Sequence, residues 1–276
     1  MTKVETPLVL RTDEGPVRTL TLNRGERFSP LSSAMIAALQ AELDAVAADE
    51  SIRAIVLAAL GRGFCAGHDL KELRAHAGDA AWQRRLFDDC SHLMMTLTRI
   101  PQPVIARVHG IATAAGCQLV AMCDLAVASE AATFALPGAT VGVFCSTPAV
   151  GVARNIGRKR VMELLLTGQP IDARTAQAWG LINRVVPAEA LDAELRRFTD
   201  LIVARSAATI ALGKRTFYRQ IGDSLEAAYD IASEAMACNM SYEDAAAGID
   251  AFLGKRPVDW PPRARDEVEG FHFGLK

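Results

Sequence analysis

No surplus of positive charge marks this 276-residue sequence: 30 Lys and Arg stand against 32 Asp and Glu, a formal net charge of −2. Nucleic acids and anionic membranes draw proteins through a basic field, so neither is expected as a partner and any phosphate must be recognised locally. Metal-ligand spacing is missing too. Cysteines 65, 90, 117, 123, 145 and 238 fall in apolar segments without a C-x-x-C pair or a His-rich tract, so no metal site is expected. They read as buried thiols of a reducing compartment. The opening MTKVETPLVL lacks the charged-then-apolar layout of a signal peptide and brings an acid too early for a transit peptide, so no targeting segment is expected. Residues 131–153 carry no charge, but Pro137, Gly138, Gly142, Pro148 and Gly151 break the run, which reads as an inner loop rather than a membrane span.

What remains is a composition that can bury a substantial core, with hydrophobic residues at 50%. Strand-like runs at 16–22, 53–58, 103–108 and 125–128 alternate with helical patterns at 32–48, 80–99 and 114–122, which argues an α/β fold. Beyond about residue 157 the pattern turns helical, with one short strand at 182–186 and helices over 188–204, 206–221, 223–239 and 241–253. Pro187, Ser206, Asp223 and Ser241 stand at their expected starts. There is no repeat, low-complexity tract or Gly/Ser linker, so the two regions are expected to share one core.

Two loops could present backbone to a ligand. GRGFCAGHDLKEL, residues 61–73, follows the strand RAIVLA and places no bulky side chain over Ala66, while Asp69 stands at a helix start. Taken alone it is an ordinary strand-to-helix loop. The second, GIATAAGCQLVAMCD at 110–124, puts Ala114, Ala115 and Gly116 in the first turn of a helix. Unpaired N–H groups and the positive end of the helix dipole suit an anion or a developing oxyanion there. Tight helix–strand packing uses the same small residues. Two such turns in neighbouring units could converge on one carbonyl oxygen.

LNRGERFSPLSSAM (22–35), GRGFCAGHDL, GIATAAGCQLVAMCDLAVAS and GIDAFLGKR (248–256) together resemble the enoyl-CoA hydratase/isomerase family, the crotonase superfamily, over nearly the whole chain. GHDLKEL, ATAAGCQLVA, GVFCSTP and the GK-x-TFY-x-Q run at 213–220 narrow the resemblance to one subgroup within it. The resemblance implies an α/β crotonase (ClpP/crotonase-like) spiral of ββα units over residues 1–204, and a C-terminal helical trimerisation region over 205–276. It implies a homotrimer, often paired into a hexamer, and a coenzyme A thioester as ligand with no prosthetic group. The thioester oxygen is then held by two backbone N–H groups, which by motif position fall at Ala66 and Ala115. For the CoA moiety it suggests Arg27 and Lys71, with Phe252 and Lys255 closing over the adenine from a neighbouring subunit. A bacterial member would be cytoplasmic and an animal one mitochondrial; Arg outnumbers Lys here, which hints at a high-GC bacterial gene.

Against the family pattern, two carboxylates are missing. The motif position of the first acid/base glutamate holds Gln118, and that of the second holds Gly138. An amide donates and accepts hydrogen bonds but takes no proton at neutral pH, and glycine does neither. His68 is a candidate base, though it could equally be a supporting group or point to solvent. His109 reads as a turn-stabilising residue, and Cys145, Ser146 and Thr147 as lining of the acyl pocket. The expected function is therefore that of an acyl-CoA thioester-binding enzyme in which Ala66 and Ala115 stabilise an enolate-like oxyanion, with weak ordinary hydration. The alternatives are a silent acyl-CoA-binding oligomer, or another crotonase reaction such as isomerisation, thioester hydrolysis or decarboxylation.

Overall fold

A computed structural model describes residues 6–260. Its strands are β1 (Val9–Glu14), β2 (Val17–Leu22), β3 (Ala54–Ala59), β4 (Gly63–Cys65), β5 (Val104–Val108), β6 (Ile111–Thr113), β7 (Leu125–Ser129), β8 (Thr133–Ala135), β9 (Ile171–Asp172) and β10 (Arg184–Val186). The helices are α1 (Ser33–Ala47), α2 (Leu70–Ala75), α3 (Ala80–Arg99), α4 (Ala115–Met122), α5 (Ser146–Val152), α6 (Arg158–Thr167), α7 (Ala173–Trp179), α8 (Leu191–Val203), α9 (Ala207–Gln220), α10 (Leu225–Met240) and α11 (Glu243–Leu253).

Three strands of the larger sheet are each followed by a short strand of the smaller one and then by helix, and this unit recurs as β3-β4-α2, β5-β6-α4 and β7-β8-α5. The six-stranded sheet runs β1-β2-β3-β5-β7-β10 and the four-stranded one β4-β6-β8-β9. Among the described residues only the β1–β2 and β8–β9 pairs are antiparallel. A parallel strand covered on both faces needs apolar side chains at every position rather than alternate ones, and all six residues of β3, AIVLAA, are buried. The short strands β4, β6 and β8 carry only three residues each, too few for a periodic signal, and for that reason the sequence pattern passed over them.

Side-chain caps set most helix starts. Ser32, Asp69, Asp79, Asp172 and Ser206 each accept a backbone N–H from the first turn of the helix that follows. Three expected starts move. The start of α10 is capped by Ser224 rather than Asp223, α11 begins after Tyr242 rather than Ser241, and a short 3-10 turn at Ala188–Ala190 separates Pro187 from α8. Residues 131–153 form β8, a 3-10 turn at Pro137–Val141 and α5, and among the described residues no helix is long and apolar enough to cross a membrane.

The helices after α8 have their own small core of Ala208, Leu212, Ala235 and Tyr242. Lys214 pins α9 to the sheet region. Its ammonium, with side-chain exposure of 6%, pairs with Asp124 at 2.7 Å and donates to the carbonyls of Leu97 and Gln102 at 2.8 Å each. Burial lowers its pKa and the Asp124 carboxylate opposes that. All three donors of the ammonium are used, so the charge is not stranded. Elsewhere this region is apolar toward solvent: Ile221, Leu225, Tyr229, Met236, Met240, Phe252 and Leu253 are all more than half exposed.

Candidate active site

The two loops expected to present backbone lie against one another. Gly67, in the left-handed region at φ +85°, has no room for a side chain. An added Cβ would stand 2.9 Å from Ala114 Cβ and 3.1 Å from the Ala115 nitrogen. Gly116 is tighter still, since its Cβ would be 2.1 Å from the Cys65 carbonyl oxygen. A further tie is the Thr113 hydroxyl, which donates to the Ala66 carbonyl at 3.1 Å. The first turn of α4 is thereby keyed into the loop after β4. Ala114, which precedes α4, sits at φ 50°, ψ −120°, a conformation that an L side chain rarely adopts and that marks stored backbone strain.

The N–H groups of this junction divide into used and unused. That of Ala66 donates to the Phe28 carbonyl at 2.9 Å, so the expectation that Ala66 is the first free donor is corrected. The N–H of Gly67 points at the Cys65 sulfur. Those of His68 and Ala115 have no acceptor among the described residues. A positive-φ glycine rotates the peptide that follows it, so the N–H of the residue after Gly67 is the one released from the loop's internal bonding. The signal was present in the sequence as the Gly of CAGHD.

His68 also contributes its ring. Nδ1 lies 3.2 Å from the Leu31 carbonyl, an acceptor, so the proton sits on Nδ1 and the buried Nε2, without a partner, presents a lone pair. Burial depresses its pKa, against the smaller opposing effects of the Leu31 carbonyl and Glu72. The imidazole is edge-on to Phe87, with ring centroids 5.4 Å apart. Asp69 caps α2, accepting from Lys71 and Glu72 N–H. The His109 ring lies 2.9 Å from the Gly61 carbonyl, and its own carbonyl accepts from Ser129.

Gln118 lies three residues past Ala115 and therefore on the same face of α4. It is only 4% exposed, and its Oε1 is buried with no hydrogen-bond partner. Gly151 of α5 closes the space beside it, since a Cβ there would meet Met122 Sδ at 2.8 Å and Gln118 Cγ at 3.6 Å.

Position 138 is not merely without a carboxylate. A Cβ at Gly138 would fall 1.9 Å from the Val143 carbonyl oxygen and 2.8 Å from Cys145 Sγ, so the seat of a side chain is already taken. The loop is closed by Val143 N–H donating to the Gly138 carbonyl at 2.9 Å. The Gly138 N–H points at the Cys145 thiol, whose pKa burial raises. Such a thiol is a poor nucleophile. Cys117 on α4 is buried and pushed up to about 12 by desolvation.

Of the residues expected to meet CoA, Arg27 is exposed in the 3-10 turn Gly25–Arg27, next to the Phe28 whose carbonyl engages the first loop. Lys71 is exposed in the first turn of α2. Phe252 and Lys255 lie on and just beyond α11, which packs against α10; Phe252 is 83% exposed.

Residues 12–263 match the model of the enoyl-CoA hydratase/isomerase family. The chain is 45% identical over 244 residues to mouse enoyl-CoA hydratase domain-containing protein 3, mitochondrial, an alignment covering 88% of this chain and 81% of the mouse protein. Among solved structures it is similar to an enoyl-CoA hydratase of Mycobacterium smegmatis, with a TM-score of 0.90, 53% identity and coverage of 92% and 99% of the two chains. It is also similar to human enoyl-CoA hydratase domain-containing protein 3, with a TM-score of 0.89, 42% identity and coverage of 92% and 100%. With its ββα spiral and the sequence match running through both loops, this chain belongs to the enoyl-CoA hydratase/isomerase family and has the crotonase fold.

Proposed function

We propose that this protein binds acyl-CoA thioesters, with the N–H groups of His68 and Ala115 donating to the thioester oxygen, and that ordinary hydration of enoyl-CoA is feeble. The observation that carries the first half is the pair of unpartnered backbone donors on two interlocked turns. Backbone donors need no particular side chain, so Ala115 serves as a glycine would. In polarising a thioester each is worth on the order of 3 kcal/mol of transition-state stabilisation. The second half rests on Gln118 and on the occupied seat at Gly138. General acid–base assistance contributes about 10²–10⁴ per group, and neither position supplies it. A further reaction through His68 Nε2, the one neutral base beside the donors, is the alternative that the tautomer favours. Arg27 and Lys71 are proposed for the phosphate and pantetheine portion. Phe252 and Lys255 would serve a neighbouring copy of a trimer, a reading supported by the apolar exposed faces of α10 and α11. No prosthetic group is required.

The experiment is a panel of CoA thioesters assayed for binding by calorimetry and for turnover by thioester absorbance, on the parent and on Gln118→Glu. Measurable binding with feeble crotonyl-CoA hydration is expected. Hydration at the rates usual for a hydratase would overturn the second half, and absence of binding by any CoA ester would overturn the first. A silent binding protein would show binding without turnover of any ester. Restoring the second acid by Gly138→Glu is not a usable arm, because its Cβ alone collides with Val143.

A further inference from the structure

The donor N–H of His68 belongs to a peptide group whose other end is already held, since the Gly67 carbonyl accepts from Leu31 N–H at 2.8 Å. In a planar trans peptide the C=O and N–H point opposite ways, so the bond to Leu31 aims the His68 N–H away from residues 28–33. Leu31 pairs with His68 as an isolated parallel bridge, and its carbonyl faces His68 Nδ1. The segment carrying Leu31 is not held by local preference. Phe28 and Ser29 are successive non-glycine residues in the left-handed region, at φ 60° and 44°, a conformation that persists only where neighbours over-determine it.

One of those neighbours reaches across from the far side of the donor loop. The Glu72 carboxylate accepts Ser33 N–H at 2.9 Å and also accepts from the Ser33 hydroxyl. Ser33 opens α1, where that N–H has no acceptor within the helix, and an anion there meets the positive end of the helix dipole. The two helices joined in this way are unequal. α1 buries Met35, Ile36, Leu39, Leu43 and Val46, whereas α2 buries no residue and packs on the core in part through Leu73. Asp69 caps α2 directly after His68, so what holds α2 holds the C-terminal flank of the donor. We infer that Glu72 is a positioning residue for the His68 donor. Its two-pronged hold on Ser33 fixes α2 and residues 28–33 relative to α1, and through Leu31 it fixes the direction in which the Gly67–His68 peptide presents its N–H. This rests on the acyl-CoA reading above, and the carboxylate acts through that peptide rather than on the ligand.

The test uses para-aminocinnamoyl-CoA, a thioester whose absorption moves to longer wavelength when its carbonyl oxygen is polarised. The red shift of the bound ester therefore reads the aim of the donors separately from affinity and from stability. Glu72→Ala, Glu72→Gln and Ser33→Pro are compared with the parent, each with its fold checked by a melting curve. Ser33→Pro removes the N–H and the hydroxyl that Glu72 holds, yet it suits the first position of a helix, and Ser32 at φ −72°, ψ 165° is compatible with a following proline. If it or Glu72→Ala fails to fold, the other carries the test. In both, the red shift of the bound ester is expected to shrink and the affinity to weaken by about tenfold. Glu72→Gln, whose amide can accept the N–H and donate to the hydroxyl, is expected to keep most of both. The parent's full red shift in folded Glu72→Ala or Ser33→Pro, even with a lowered melting temperature, overturns the inference. A loss in Glu72→Gln equal to that in Glu72→Ala overturns it as well, by tracing the effect to charge rather than to the hold on Ser33. A parent that binds no CoA ester, or binds this one without a red shift, would instead overturn the reading on which the inference rests.

Discussion

Gly116→Ala sets two physical effects against each other with opposite signs. In an exposed helix the exchange would stabilise by about 1 kcal/mol, because alanine loses less backbone entropy on folding. Here the added Cβ would stand 2.1 Å from the Cys65 carbonyl oxygen and 2.8 Å from both its carbonyl carbon and its Cβ. A normal carbon–oxygen contact needs about 3.2 Å, so α4 and the loop after β4 must part by on the order of 1 Å. Overpacking of that size costs about 1–3 kcal/mol, enough to reverse the propensity gain. The functional loss should be larger than the stability loss. Ala115 and His68 lie on the two sides of that contact, and a misplacement of about 1 Å in a positioned group can cost about 10²-fold. Urea denaturation of the variant should therefore show a lower midpoint with an unchanged slope, and calorimetry with butyryl-CoA should show binding weakened well beyond what the lost stability accounts for. A variant as stable as the parent, with the same acyl-CoA affinity, would refute both the steric reasoning and the pairing of these two loops as one oxyanion site.

Two further outcomes follow from the same region. Ala114→Gly relieves a backbone conformation at φ 50°, ψ −120°; strain of about 1–3 kcal/mol is removed against about 0.4–1 kcal/mol of added unfolded-state entropy, so the midpoint in urea should rise by the equivalent of about 1 kcal/mol, and a fall would show the site to be unstrained. The lowered pKa of His68 means that its unfolded form binds the proton at higher pH than its folded form. The stability it contributes is therefore present above the unfolded value near 6.5 and is lost as pH falls through the folded value. His68→Asn should flatten the acid side of a stability–pH curve, and an unchanged curve would remove the ring from the account.

The candidate site was legible where chemistry depends on residue type. Gln118 and Gly138 are visible as departures by simple reading, and Ala115 follows from its place at the start of a helix. Small residues after RAIVLA and PVIARV correctly marked two turns in which backbone comes close to backbone. Which amides remain unbonded was not legible in the same way. Ala66 and His68 are two residues apart in one loop, and only the path of Phe28, a residue nearly forty positions earlier, consumes one N–H and leaves the other. Likewise Gly138 reads as a deletion of a side chain, whereas the folded loop shows its space filled by Val143 and Cys145.

By itself, then, the sequence determined the alternation of buried strands and capped helices, the family, and the presence of an amide at 118 and a glycine at 138, because these depend on local periodicity and on the identity of single side chains. Tertiary structure decided which backbone donors are free, that Gly138 has no room for a side chain, and that the Gln118 oxygen is buried without a partner. Those are properties of what lies across the chain from a residue, and hydrogen-bond saturation and close packing are set by neighbours that no short stretch of sequence contains.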